Sequence, residues 1–564
     1  MTGEAFLSPW CGPVQQVSCG SLRAASVAVP RGVMQSESHR AQVPTSGVLY
    51  GLMAFVFAVV ATAIAMIRFR PSPLYPAFND VNSDVYVYQL IGNSWVDGLL
   101  PYRDVFDVKG PFLFLLFGLF ARLRPWSMGP PILVLTLLAF ASIWLAYAIA
   151  RLYILQRPIA VLAALASSFL IYLSPTSVAS SFTCEELAVP GILLMLWLVL
   201  RWLREPGKIA GAWWVIDGLV LGALFWSKFL VVAPWAAMLV ALLVLAMRGQ
   251  LLARDLGRVV ILHLIGVAIA TGLILPFYAT VLPEMMHGYF RAMSANLDFK
   301  DELFALRQFA AEQITSNTAV AISLVSIFCW FLLRARRSGS SDSIALTIAF
   351  VVSLLGSIAV DAHPNSVFVP LSFVAVAIPQ VLSGAESRSR AVSRMVAISV
   401  TSLSLAACVG ALGQGMSSYG LLRHARPLTC YNLSTLGSTT TNKNVSTVFA
   451  EAADGRPILS VGTLFAARSS YVSRSSMSHP FQIDYYRYSA EMGSGEVQTQ
   501  YLQDRTFDYV WIHIAGLDKF HDLKAQIAHE TYGIGPTQAA QRTSLVRNYV
   551  PVVSCNNEIL LRAR

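Results

Sequence analysis

Apolar runs near the length of a membrane span recur from residue 48 to residue 413. No other feature restricts the fold of this chain so strongly. A helix needs about 20 apolar residues to cross a hydrocarbon core. Inside lipid it must also satisfy its own backbone polar groups. Only 13% of the residues are charged and 55% are hydrophobic, where soluble domains carry about 25% charge. The expected fold class is therefore a polytopic α-helical membrane protein with about 11 transmembrane helices. The spans are read at 48–68, 129–150, 157–173, 188–203, 211–227, 229–247, 258–279, 318–333, 343–360, 367–383 and 395–413.

Loop charge sets the expected orientation. One set of loops carries Arg151 and Arg157, then Arg201, Arg204 and Lys208, then Arg248, Arg254 and Arg258. Arg334, Arg336 and Arg337 follow in the same set, with Arg388, Arg390 and Arg394 after them. The positive-inside rule makes this set cytoplasmic. The net charge of +10 is thereby explained without nucleic acid as a partner. Residues 1–47 are irregular, show no basic-then-apolar leader, and are expected to be a disordered cytoplasmic segment, with Met34 an alternative start.

An odd number of spans puts 414–564 outside. There Ser, Thr, Asn and Gly rise, and 458–464, 509–515 and 558–562 read as strands, with a helix at 518–530. The expectation is a small extracytoplasmic α/β domain. Its Tyr485, Tyr486, Tyr488 and Trp511 could stack on sugar rings, although Trp511 suits a strand core better. The seven cysteines show no metal-ligand spacing. Cys430 and Cys555 could form a disulfide if the region is extracytoplasmic.

The same assignment gathers four polar segments on the outer face. They are 69–128, 174–187 with Glu185 and Glu186, 280–317, and the turn Asp361–Asn365. Within the first, residues 80–111 hold Asp80, Asp84, Asp97, Asp104, Asp107, Arg103 and Lys109. Carboxylates beside a span must face water, one another or a cation. Residues 111–124 are too short to span comfortably and read as an interfacial helix ending in Arg122 and Arg124.

This composition suits transfer of a sugar from a lipid phosphate. Asp84 or Asp80 could take the acceptor's proton, and Lys109 could hold the leaving phosphate. A single displacement inverts the anomeric carbon without a nucleophilic carboxylate. Plainer readings stand beside these. Asp84 suits a helix cap, Asp104 and Asp107 suit a turn after Pro101, and Lys109 or Lys228 could snorkel. Glu185 and Glu186 suit a helix N-terminus. The clustered carboxylates leave room for a divalent metal ion, but no spacing demands one.

The stretch SDVYVYQLIGNSWVDGLLPYRDVFDVKGPFLF resembles the first extracytoplasmic loop of the GT-C superfamily of polyprenyl-phosphate-sugar glycosyltransferases. The branch it resembles most is the bacterial one related to protein O-mannosyltransferases and aminoarabinose transferase. The matching features are Asp84, the Gly98–Asp104 stretch and Lys109-Gly110-Pro111. CEELAVP (184–190), GALFWSKFL (222–230) and HPNSVFVP (363–370) are similar to later elements of that family. The resemblance covers about residues 48–415 and implies Asp84 as general base, with Asp80 its rival. It implies Lys109 as the phosphate contact, and Arg103, Asp104, Asp107, Glu185, Glu186, Lys228 and His363 as substrate-binding candidates. The implied partners are a polyprenyl-phosphate-linked sugar, membrane lipids, and an envelope glycan, lipid or protein acceptor. Val85 after Asp84 and Pro364 after His363 depart from the family pattern.

Overall fold

The computed structural model describes residues 47–68, 84–96, 98, 100–103, 109–125, 127, 129–173, 182–291, 318–360, 364–386, 428–432, 437–441, 445–454, 456, 458–460, 494–513, 537–555 and 558–564. The chain divides into two units, Met1–Met53 and Ala54–Arg564. The first contributes the opening residues of helix α1 (Gly47–Arg68). All that follows concerns the second.

Its helices are α2 (Asp84–Val96), α3 (Pro111–Leu123), α4 (Gly129–Tyr153), α5 (Arg157–Leu173), α6 (Cys184–Arg204), α7 (Gly211–Phe225), α8 (Ala233–Met247) and α9 (Ala253–Ile274). After them come α10 (Thr318–Ser338), α11 (Ser341–Val360) and α12 (Val374–Glu386). Among the described residues, four helical stretches are long and apolar enough to cross a membrane: Gly129–Tyr153, Cys184–Arg204, Phe229–Met247 and Ala253–Phe290. Shorter apolar helices, such as Arg157–Leu173 and Gly211–Phe225, accompany them.

Helix α6 is the centre of this unit. It is buried from Cys184 to Val189 and from Gly191 to Leu196, with Leu198, Val199 and Leu200 beyond. Its acids sit in the first turn and Arg201 and Arg204 in the last, as the helix dipole favours. By contrast, α9 exposes Ile261, Leu264 and Leu273, the pattern of a helix with a lipid-facing side.

Helices α7 and α9 cross at very short range. A Cβ on Gly218 would meet the His263 carbonyl oxygen at 2.2 Å, and one on Gly266 would meet that of Val215 at 2.2 Å. Small residues permit such backbone approach between membrane helices. At the crossing, the fully buried Asp217 accepts hydrogen bonds from Trp235 Nε1 at 3.2 Å and lies 2.8 Å from His263 Nε2. His263 Nδ1 donates to the Val259 carbonyl at 2.9 Å, which places a proton on Nδ1. A polar group at this depth needs such partners, and the contact ties α7, α8 and α9 together. His263 sits in the middle of α9.

Several span limits differ from the sequence reading. The span read at 258–279 starts earlier, at Ala253, and its α-helix stops at Ile274 because Pro276 follows. It continues as a 3-10 turn, Leu275–Val281, and in helical form to Arg291. Part of the expected loop 280–317 is therefore helical. The span read at 367–383 is broken between Leu371 and Val374. The span read at 395–413 and the helix read at 518–530 lie outside the described residues.

Residues 428–564 carry a six-stranded sheet of order β2-β1-β5-β6-β4-β3. The strands are β1 (Leu428–Asn432), β2 (Gly437–Thr441), β3 (Ile458–Ser460), β4 (Tyr509–His513), β5 (Tyr549–Cys555) and β6 (Glu558–Ala563). Only the β3–β4 pair is parallel among them. Side chains alternate between faces along β4. Val510 and Ile512 pack with Leu502 and Leu545, from helices α14 (Ser494–Asp504) and α15 (Thr537–Asn548). Trp511 packs on the other face with Phe449 of helix α13 (Val445–Ala452), ring centroids 5.0 Å apart. Trp511 is thus core, 1% exposed, and does not stack on a ligand. Cys430 and Cys555 face each other across β1 and β5 and form a disulfide.

Candidate functional site

The site is built where the chain before α3, the start of α6 and the end of α7 meet. Lys109, Gly110 and Pro111 precede α3, with Pro111 at its first position and Gly110 as its extended N-cap. Proline fits there because its missing N–H would be unpaired anyway. The Gly110 N–H donates to the Ser227 carbonyl at 2.7 Å, and the Phe112 N–H to the Trp226 carbonyl at 3.0 Å. The Lys-Gly-Pro element is therefore strapped, backbone to backbone, against the residues that immediately precede Lys228.

Lys228 leaves the end of α7 in an extended conformation, held by its N–H to the Leu224 carbonyl at 3.0 Å. Its Nζ lies 2.5 Å from Glu185 Oε1, and both side chains are buried. The neighbouring Glu186 does something different. Thr183 Oγ1 accepts the Glu186 N–H at 3.2 Å, while Glu186 Oε2 accepts the Phe182 N–H at 3.0 Å. Thr183 thus caps α6, and Glu186 reaches back to the residue before the cap, Phe182, which sits at φ 69°. One carboxylate of the pair thus meets a cation, and the other also shapes the helix start.

Helix α2 reaches the same place. Tyr88 Oη lies 3.9 Å from Cys184 Sγ, and that sulfur lies 3.9 Å from the Ser227 carbonyl oxygen. Two tyrosines hold the surrounding backbone. Tyr102 Oη donates to the Lys109 carbonyl at 2.6 Å, and Tyr278 Oη to that of Pro111 at 2.5 Å. Tyr289 donates to the Phe225 carbonyl. Trp95, Tyr102 and Tyr278 form an aromatic wall, with Tyr278 centroids 5.2 Å from Trp95 and 6.0 Å from Tyr102.

Of the candidates read from sequence, Lys109, Glu185, Glu186 and Lys228 come together. Arg103 lies in an exposed turn after Tyr102, its N–H bonded to the Leu100 carbonyl at 3.3 Å. Asp84 opens α2. Asp80, Asp104, Asp107 and His363 lie outside the described residues, as do Tyr485, Tyr486 and Tyr488. Among the described residues, no group of three or more His, Cys, Asp or Glu side chains is disposed to hold a metal ion. Sequence reasoning missed Ser227, Tyr278 and Tyr289. The last two stand in what reads as an apolar span end or a loop, and only Pro276 hinted that the chain bends there.

Residues 108–279 match the family described as dolichyl-phosphate-mannose-protein mannosyltransferase. That segment begins beside Lys109 and contains Glu185 and Lys228. ArnT from Cupriavidus metallidurans, solved bound to undecaprenyl phosphate, is 13% identical and superposes with a TM-score of 0.54. The match covers 92% of this chain and 98% of that one. The Archaeoglobus fulgidus oligosaccharyltransferase, solved with a tethered acceptor peptide, is 12% identical over 89% of this chain and 74% of its own, with a TM-score of 0.46. No curated protein matches the chain. Segment 108–279 thus carries the similarity to that mannosyltransferase family, and the fold is similar to that of ArnT.

Proposed function

We propose that the protein is an inverting glycosyltransferase, moving a hexose or pentose from a polyprenyl-phosphate donor to a cell-envelope glycan, a glycolipid or an exported protein. The observation that carries this reading is the strap between Lys109-Gly110-Pro111 and Trp226-Ser227-Lys228, with Glu185 on Lys228 at 2.5 Å. It gathers two cations and two carboxylates next to the apolar helix α3. A lipid phosphate leaving group needs cationic stabilisation near the interface, where its head group lies.

In this reading Lys109 holds the phosphate. Asp84, with Asp80 as its rival, takes the acceptor's proton. Arg103, Asp104, Asp107, Glu185, Glu186, Lys228 and His363 complete the substrate-binding surface. Residues 48–413 form the membrane domain with 69–128 as its first outer loop, and 414–564 lie outside. The Cys430–Cys555 disulfide supports that placement, because such bonds persist in oxidising compartments. The protein then resides in a bacterial plasma membrane with its N-terminus cytoplasmic.

The test is transfer by purified protein in lipid, using radiolabelled polyprenyl-phosphate sugars and an envelope-glycan extract. The native chain should transfer one sugar, and Asp84→Asn should bind donor yet lose transfer at least 100-fold. Equal transfer by both moves the base to Asp80 or Glu186. Absence of transfer, with the lipid-linked sugar crossing the bilayer instead, overturns the enzyme reading.

A further inference from the structure

A second polar concavity lies in the sheet-bearing region, far along the sequence from the lysine strap. It is a groove of about 630 Å³ between the ends of α14 and α15. Among the described residues, Gln503, Arg505, Thr543, Ser544, Arg547 and Asn548 line it, none of them a carboxylate or an aromatic ring. Two guanidinium groups on one concave wall favour an anion, and their planar forks match carboxylate or phosphate oxygens. The hydroxyl and amide groups beside them are the partners a sugar ring requires. The volume accommodates one or two rings.

The backbone supplies an independent indication. Helix α14 closes with the Thr506 N–H donating to the Tyr501 carbonyl at 3.1 Å, which sets Arg505 in the left-handed region at φ 54°. Glycine is the usual residue there, since a side chain disfavours that conformation. The chain carries arginine instead, where its side chain reaches the groove. Arg505 Nη1 donates to the Arg564 backbone oxygen at 3.1 Å, which orients the guanidinium. Asn548 Nδ2 donates to the Leu502 and Gln503 carbonyls at 2.9 and 3.3 Å and fixes the wall between the helices. Arg547 stands in the last turn of α15. A helix C-terminus welcomes a cation, which accounts for positive charge at both places. It does not account for arginine over glycine at 505.

We infer that this groove binds an anionic saccharide, a sugar bearing a carboxylate or a phosphate. The inference needs no transfer chemistry, so its failure leaves the proposed function standing, and the converse also holds.

The experiment is calorimetric titration of the full-length protein in nanodiscs with trigalacturonate, glucose 1-phosphate, neutral maltotriose and inorganic phosphate. At least one anionic sugar should bind tenfold or more tightly than maltotriose, and which one binds distinguishes carboxylate from phosphate. Arg505→Gly, which relieves the backbone, and Arg547→Gln should each weaken that affinity at least tenfold, with the unfolding temperature within about 3 °C of native. Arg547→Lys should recover only part of it. Equal affinity for maltotriose, binding of inorganic phosphate alone, absence of binding, or unchanged affinity in both variants overturns the proposal.

Discussion

Gly110 lies so close to Trp226 that a Cβ placed on it would meet the Trp226 carbonyl oxygen at 2.0 Å. Glycine is required at 110 for that approach, and the approach sets the spacing of the two lysine-bearing segments. Gly110→Ala should push them apart. We expect transfer to fall at least tenfold and stability by about 1–3 kcal/mol, the usual cost of forcing extra atoms into a packed site. Initial rates and thermal unfolding of the purified variant measure both.

The Glu185–Lys228 pair gives a second expectation. Removing one partner of a buried ion pair strands the other, at a cost of about 3–5 kcal/mol, whereas removing both is far less harmful. Lys228→Met and Glu185→Gln should each destabilise strongly, and the double variant less than either single change. A double-mutant cycle in thermal unfolding reads the coupling, and additive effects would contradict the 2.5 Å contact.

Thr183 and Glu186 should behave as a cap. Thr183→Ala is expected to cost about 1 kcal/mol. Glu186→Gln keeps an acceptor oxygen and should be milder than Glu186→Ala, which leaves the Phe182 N–H without that acceptor. A loss of transfer in Glu186→Gln as large as that in Asp84→Asn would reassign Glu186 to the chemistry.

Burial pushes the Tyr549 phenol up to about 12 from its ordinary 10.0. The folded chain therefore holds that proton more tightly than the unfolded chain. The stability it contributes is complete below pH 10, declines above it, and is lost as pH rises through about 12. The alkaline decline should be shallower in Tyr549→Phe. Unfolding temperatures of both proteins from pH 9 to 12 test it, and parallel curves would refute it.

The disulfide should matter as well. Cys430 and Cys555 are 125 residues apart, so the bond closes a long loop in the unfolded chain. Cys430→Ser is expected to cost about 2–4 kcal/mol. Hydrogen exchange along β1 and β5, with and without the bond, should show faster opening in the variant.

The helices were legible because each apolar run must satisfy itself in lipid, and the same logic exposed 80–111 as a polar exception. Single motifs at the site could be read too, namely Lys109-Gly110-Pro111, Glu185 with Glu186, and Lys228. Their adjacency could not. No periodicity says that the backbone at Ser227 will accept the Gly110 N–H. Tyr278 and Tyr289 were hidden because they reach the site with a hydroxyl at the tip of an otherwise apolar ring. Asp217 and His263 sit 46 residues apart on helices that are not neighbours in sequence, so no local pattern pairs them.

The order of the sheet has a consequence in time. Strand β1 can pair with β2 soon after synthesis, yet its other neighbour, β5, arrives more than a hundred residues later. At about 5–20 residues per second, the 125 residues between the two cysteines take roughly 6 to 25 s to make. For that interval Cys430 is a thiol beside an open strand edge, exposed to the wrong partner. A cell producing this protein must keep that edge solvated or chaperoned until β5 emerges. Slowing translation between the two strands should raise the fraction of chains trapped in mixed disulfides.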